Sequence, residues 1–123
     1  MNLQKRNRTG ASAMEFALVA PAIFILVLGL MEWSRFEMIR QVSSTAAFAA
    51  ARAGTLPGAT ESDMEQRVDD ILAVYAISQA TRVGTLTADE ASVSIQIPMA
   101  NNSWFIKKLF GASIIQRDFT LKF

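Results

Sequence analysis

Two residue types are missing from this chain altogether, and each absence removes a class of chemistry. The 123 residues include no cysteine and no histidine. Without cysteine there is no disulfide framework and no thiolate site; an oxidising compartment stays open. Without histidine there are no His-dependent triads, no His-containing metal sites, and no use of the most common general base. An excess of one charge is missing too. The net charge is +1, so no strongly basic surface argues for nucleic acid. No nucleophile and base can be paired from their spacing, so the composition points away from an enzyme and away from a metal or cofactor. The length suits one small domain.

What is present is unevenly spread. Residues 16–31 form a charge-free apolar run. Extended back to Ala11, the stretch spans roughly 31 Å as a helix at ~1.5 Å per residue. That matches a bilayer hydrocarbon core of ~30 Å if Glu15 sits near the membrane edge. Trp33 follows the run, where an interfacial aromatic belongs. Of the twelve basic residues, Lys5, Arg6 and Arg8 precede the run, and the remainder is mildly acidic. This local cationic end favours a cytoplasmic N-terminus, with the bulk of the chain outside the cytoplasm. A cleaved secretory signal is the first rival, but the run continues past its small-x-small site at Ala20-Pro21-Ala22. A buried soluble helix is the second, and the basic head and Trp33 argue against it.

Three stretches carry a family resemblance: "GASAMEFALVAP" from Gly10, "MEWSR" at the close of the run, and "AAARAG" ending at Gly54. With the basic leader before it, the first resembles a class III signal peptide, the type cut by prepilin peptidases. Together they resemble the TadE family of pseudopilins, the minor pilins of the tight-adherence (Tad/Flp) pilus. The resemblance implies cleavage after Gly10, Ala11 as the new N-terminus, and Glu15-Phe16 at the fifth and sixth mature positions. It further implies that Glu15 meets the N-terminal amine of a neighbouring subunit during assembly. The implied partners are the prepilin peptidase, other pilins or pseudopilins, the inner-membrane assembly platform and membrane lipid. Beyond Gly54 the resemblance is one of layout only. A bland reading of Glu15 stands beside this one: an acid in a first helical turn favours the helix dipole by ~0.3–1 kcal/mol. An uncleaved signal-anchored envelope protein with a protein-binding outer domain is the alternative function.

The rest of the sequence predicts an α+β fold. The long N-terminal membrane-spanning helix continues outside the membrane, because Phe36, Ile39, Val42, Ala46 and Ala49 recur at helical spacing with Arg35, Glu37 and Arg40 between them. Pro21 is a candidate kink. Gly54 and Pro57-Gly58 end the helix. "TESD" from Thr60 reads as a capping box opening a second, shorter helix, with Met64, Val68, Ile71, Leu72 and Tyr75 on its apolar face and Gly84 after its end. Glu65, Asp69 and Asp70 read as its solvated face. Alternation around Val93, Ile95 and Ile97, and from Ile115 to Phe123, predicts a small C-terminal antiparallel strand pair. The expected division is a leader over 1–10, a membrane segment over 11–33, a helical continuation over 34–54, and an extracytoplasmic domain over 55–123. Between the strands, Trp104, Phe105, Leu109 and Phe110 exceed what a turn needs. They dock on a partner, touch the membrane surface, or cover the core as an ordinary loop helix.

Overall fold

The computed structural model describes residues 3–105 and 113–123, with side chains from residue 10 onward in those ranges. Its spine is helix α1 (Leu3–Gly54), which at ~1.5 Å per residue is about 78 Å long. The helix runs unbroken through Gly10, Ala11 and Pro21, so it begins before Ala11. Over residues 16–31 it is apolar on every side and almost wholly exposed. Among the described residues this is the one helix long and apolar enough to cross a membrane, and its most apolar window buries nothing against the rest of the chain. Its second half is one-sided. Ile39, Val42, Ala46, Ala47, Ala50 and Ala51 face a core and are buried, which agrees with the helical spacing of the sequence.

Helix α2 (Glu61–Val74) starts at the expected capping box. The Asp63 amide donates to the Thr60 hydroxyl, and the Thr60 amide donates to the Asp63 carboxylate at 2.8 Å. Met64, Val68 and Leu72 are its buried face. The helix stops earlier than the sequence suggests. Tyr75 is its C-cap and largely exposed, and Ala76 takes a left-handed φ of 51°. The Ile77 amide then reaches back to the Leu72 carbonyl, and the Ala76 amide to the Ala73 carbonyl. These are the two bonds of a Schellman C-cap, with Leu72 and Ile77 supplying its apolar contact. The unusual part is alanine, not glycine, at the left-handed position, a conformation that costs a residue with a Cβ roughly 1–2 kcal/mol.

Three strands follow: β1 (Thr81–Leu86), β2 (Glu90–Pro98) and β3 (Ile114–Lys122), antiparallel in the order β1-β2-β3. The expected pair is β2–β3, with Val93 opposite Phe119 and Ile97 opposite Ile115. β1 is additional, and Gly84 lies within it instead of after α2. The reason is close approach: a Cβ at Gly84 would come within 3.3 Å of the Glu61 carbonyl oxygen on α2. The acids of α2 are likewise not all a solvated face. Glu65 and Glu61 accept from the Gly84 and Leu86 amides at 3.4 and 3.0 Å, covering the free edge of β1. Asp69 pairs with Arg82 at 2.6 Å, and Asp70 is exposed. The core lies between one sheet face and the two helices, with Ala91, Val93, Ile95 and Ile97 of β2 at its centre. Each fully buried isoleucine contributes ~1.5–3 kcal/mol by leaving water. Small residues on α1 let the layers close. A Cβ on Gly54 would sit 2.6 Å from the Met64 sulfur and 3.0 Å from Ala91, so this glycine serves packing as well as helix termination.

The capping box has a titration signature. Hydrogen bonds from the Thr60 side chain and backbone hold the Asp63 carboxyl below the ordinary carboxylate value. A depressed folded-state pKa means that its stabilising effect is complete at neutral pH and is lost as pH falls through that lowered value. Thr60→Ala removes the first of these bonds, so Asp63 is expected to titrate closer to the ordinary ~3.9, as followed by carboxyl chemical shifts.

Candidate functional site

Where α1 leaves its apolar run, two charged residues turn inward. Glu32 is 1 % exposed and Arg35 is 7 % exposed. Three residues apart, they share one face of the helix. The Glu32 carboxylate accepts from the Ser103 hydroxyl, from the Trp104 amide at 3.2 Å and from the Phe105 amide at 3.2 Å. Arg35 donates to the carbonyls of Asn102 (3.3 Å), Tyr75 (3.2 Å) and Ala76 (3.3 Å). The last two belong to the α2 C-cap, so a guanidinium from α1 satisfies orphan carbonyls of α2 and places positive charge at the negative end of its dipole. Burial lowers the Arg35 pKa from its ordinary value, while the negative charge of Glu32 opposes that shift.

A third side chain closes the arrangement. Asn102 accepts from the Ser78 amide at 2.9 Å and donates to the carbonyls of Ser78 and Pro98, each at 2.9 Å. It follows a short 3-10 turn (Met99–Asn101) at the end of β2. Three segments remote in sequence are thereby tied at one level: the α1 exit, the turn after α2, and residues 98–105. The Arg35 guanidinium lies 5.4 Å from the centre of the Trp104 ring, within cation–π range. This is a latch built of buried polar groups that are almost fully paired, and such networks position chain segments more than they add net stability.

The expected site residues fall into two groups at opposite ends of the apolar run. Gly10, Ala11, Glu15 and Phe16 lie exposed on α1. A Cβ at Gly10 would meet nothing within 4 Å, and Glu15 makes no hydrogen bond or ion pair with another described residue. At the far end, roughly 25 Å along the helix from Glu15, Trp104 and Phe105 hang from Glu32. Both are about half exposed, with ring centres 6.5 Å apart. Leu109 and Phe110 lie outside the described residues. Glu32 and Arg35 were not singled out by sequence reasoning, which set Arg35 among the outward charges. The available signal was an acid and an arginine at i, i+3 immediately after a membrane-length run. Elsewhere, a groove of about 640 Å³ separates α1 from α2 and is lined by Met38, Val42, Ile71 and Val74 beside Arg67 and Asp70. Among the described residues no group of three or more acids is placed to hold a metal ion.

A long apolar helix with a small domain latched to its exit fits a single-pass membrane protein. Within that class the helix is similar to one family: residues 10–52, about a third of the chain, match the family model described as TadE-like protein. The match takes in Glu15, Glu32 and Arg35 and stops before α2. No curated protein and no solved structure matches the chain.

The latch predicts a graded response. Glu32→Ala strands a hydroxyl and two amides and is expected to destabilise the domain by about 1–3 kcal/mol. Glu32→Gln keeps an accepting oxygen and should lose less. Denaturant unfolding of the full chain in detergent micelles measures both.

Proposed function

We propose that this protein is a pseudopilin (minor pilin) of a Tad/Flp-type pilus. Its leader is removed after Gly10 by a prepilin peptidase, and its mature helix packs with other pilins or pseudopilins at the inner-membrane assembly platform. Residues 11–33 span the membrane, the N-terminus is cytoplasmic, and residues 55–123 form an extracytoplasmic domain. The role is structural rather than enzymatic and serves pilus assembly and surface adherence. The observation that carries the reading is the family match over the helix that holds Gly10, Glu15 and the apolar run.

Two features of the fold support it. Among the described residues nothing lies within 4 Å of a Cβ built on Gly10, and a residue without a side chain suits a protease that must approach the backbone. Glu15 sits on an exposed apolar helix with no partner among the described residues; an unpaired acid is costed at ~2.5–3.5 kcal/mol at mid-bilayer on insertion scales, and less toward the membrane edge where Glu15 is read to lie. A partner amine on a neighbouring subunit removes that penalty. Cleavage supplies such an amine at Ala11, mostly protonated near neutral pH given a reference pKa of ~7.7–8.0.

Intact mass of the membrane-extracted protein separates this reading from an uncleaved signal anchor: the mature chain is expected to begin at Ala11. Gly10→Leu is expected to abolish processing, and a Gly10→Leu chain trimmed as efficiently as the native one would rule out this cleavage site. Glu15→Ala tests assembly apart from processing. It is expected to insert and be cut normally but to be depleted from sheared pilus fractions. Native incorporation of that variant would remove Glu15 from the assembly contact.

A further inference from the structure

We propose that Trp104 and Phe105, together with Trp33, form an aromatic platform that docks the extracytoplasmic domain on the headgroup layer of the lipid bilayer. The proposal rests on the reading of α1 as a membrane anchor, and it adds a second contact with the same membrane from a segment remote in sequence.

The geometry leaves this segment little choice of level. The apolar run ends at Met31, and Glu32 is the next residue, about 1.5 Å further along the axis. Its carboxylate holds the Trp104 and Phe105 amides at 3.2 Å. Arg35, beside the Trp104 ring at 5.4 Å, stands only about 4.5 Å beyond Glu32 along the helix. A bilayer of ~40–45 Å around a hydrocarbon core of ~30 Å leaves roughly 5–7 Å of headgroup layer on each side. With Met31 at the hydrocarbon boundary, the latch and the two aromatics fall inside that layer.

Their chemistry suits the place. Trp33, Trp104 and Phe105 are 57, 55 and 53 % exposed, at the level where the exposed apolar run ends. Tryptophan prefers this depth because its ring is apolar and its N–H is a donor. The backbone amides that would lose water there are already bound by Glu32. The Arg35 guanidinium, stacked near Trp104, is at the height of lipid phosphates. A rigid latch that presents aromatics at the bilayer surface limits rocking of the domain about the helix exit, since the domain then meets the membrane at two places.

The chain holds two tryptophans, Trp33 and Trp104, so Trp33→Phe and Trp104→Phe each leave a single reporter. The full-length variants are reconstituted in phosphatidylcholine–phosphatidylglycerol vesicles whose acyl chains carry bromine near the carbonyl end or near the chain centre. Trp104 is expected to lose emission with the shallow bromines to a degree comparable with Trp33, to lose less with the deep ones, and to resist aqueous iodide. Adding Glu32→Ala to the Trp33→Phe chain should abolish the lipid quenching of Trp104 and restore its quenching by iodide. The same change in the Trp104→Phe chain should leave Trp33 quenched by lipid. Iodide-accessible Trp104 beside lipid-quenched Trp33 overturns the proposal while the anchor stands, and leaves this face to a protein partner. Both residues open to iodide overturn the anchor as well. Lipid quenching of Trp104 that survives Glu32→Ala overturns the latch as the device that sets its depth.

Discussion

The relation between the helix and the domain depends on two charges buried three residues apart, Glu32 and Arg35. They stand at the one place where α1 changes from a segment exposed on all sides to a segment packed on one. Taking a carboxylate and a guanidinium out of water costs several kcal/mol for each ion. Here the cost is met locally, by three donors on Glu32 and three carbonyls on Arg35. An apolar pair of similar volume would pack there at lower cost. It would not fix which carbonyls and amides must meet. The charged pair fixes the height of residues 98–105 on α1 and the place of the α2 C-cap at the same time.

That constraint explains why one helix serves two environments. In residues 16–31 its surface is apolar all round, as lipid requires. From Ile39 the buried side narrows to alanines, and the bulk of the core comes from the partners: Met64, Val68 and Leu72 of α2 and the isoleucines of β2. Short side chains on the helix bring the sheet close, and at Gly54 even a Cβ would collide with the Met64 sulfur. A close-packed layer of this kind is intolerant of a rotation or shift of α1. The latch sets the register at one end, and the packing at Gly54 sets it at the other.

The parts legible in the sequence were those that repeat or obey a local rule. The apolar run, the helical spacing from Ile39 to Ala46, the Thr60–Asp63 box and the alternation of β2 and β3 each follow from side chains a few positions apart. What escaped depended on contacts remote in sequence. α2 is closed by Ala76, just past its C-cap, in a conformation usually taken by glycine, whereas the first glycine after the helix in the sequence is Gly84. The left-handed turn holds because its carbonyls are bound by Arg35, forty residues earlier in the chain. β1 escaped because its centre is that same Gly84, small so that α2 can approach, and because one of the two glutamates that cover its outward edge, Glu65, reads as part of a solvated face. Arg35 itself looks like a surface charge until the carbonyls around it are known.

The two ends of the apolar run offer a comparison within a single molecule. Each has a glutamate, Glu15 at one and Glu32 at the other, on the same helix and in the same direction of chain. Glu32 finds three donors inside the chain; Glu15 finds none among the described residues. The rule that a carboxylate near hydrocarbon must be paired applies to both. At Glu32 it is met by folding, which makes that residue part of the architecture. At Glu15 no described residue meets it; headgroups and water do so if the helix stays alone at the membrane edge, and another subunit does so if the helix moves out of the bilayer into an assembly. Only the second setting excludes water, and it is the setting in which an amine from a neighbouring chain is worth most. The contrast supports an intermolecular role for Glu15 on grounds independent of its distance from Gly10.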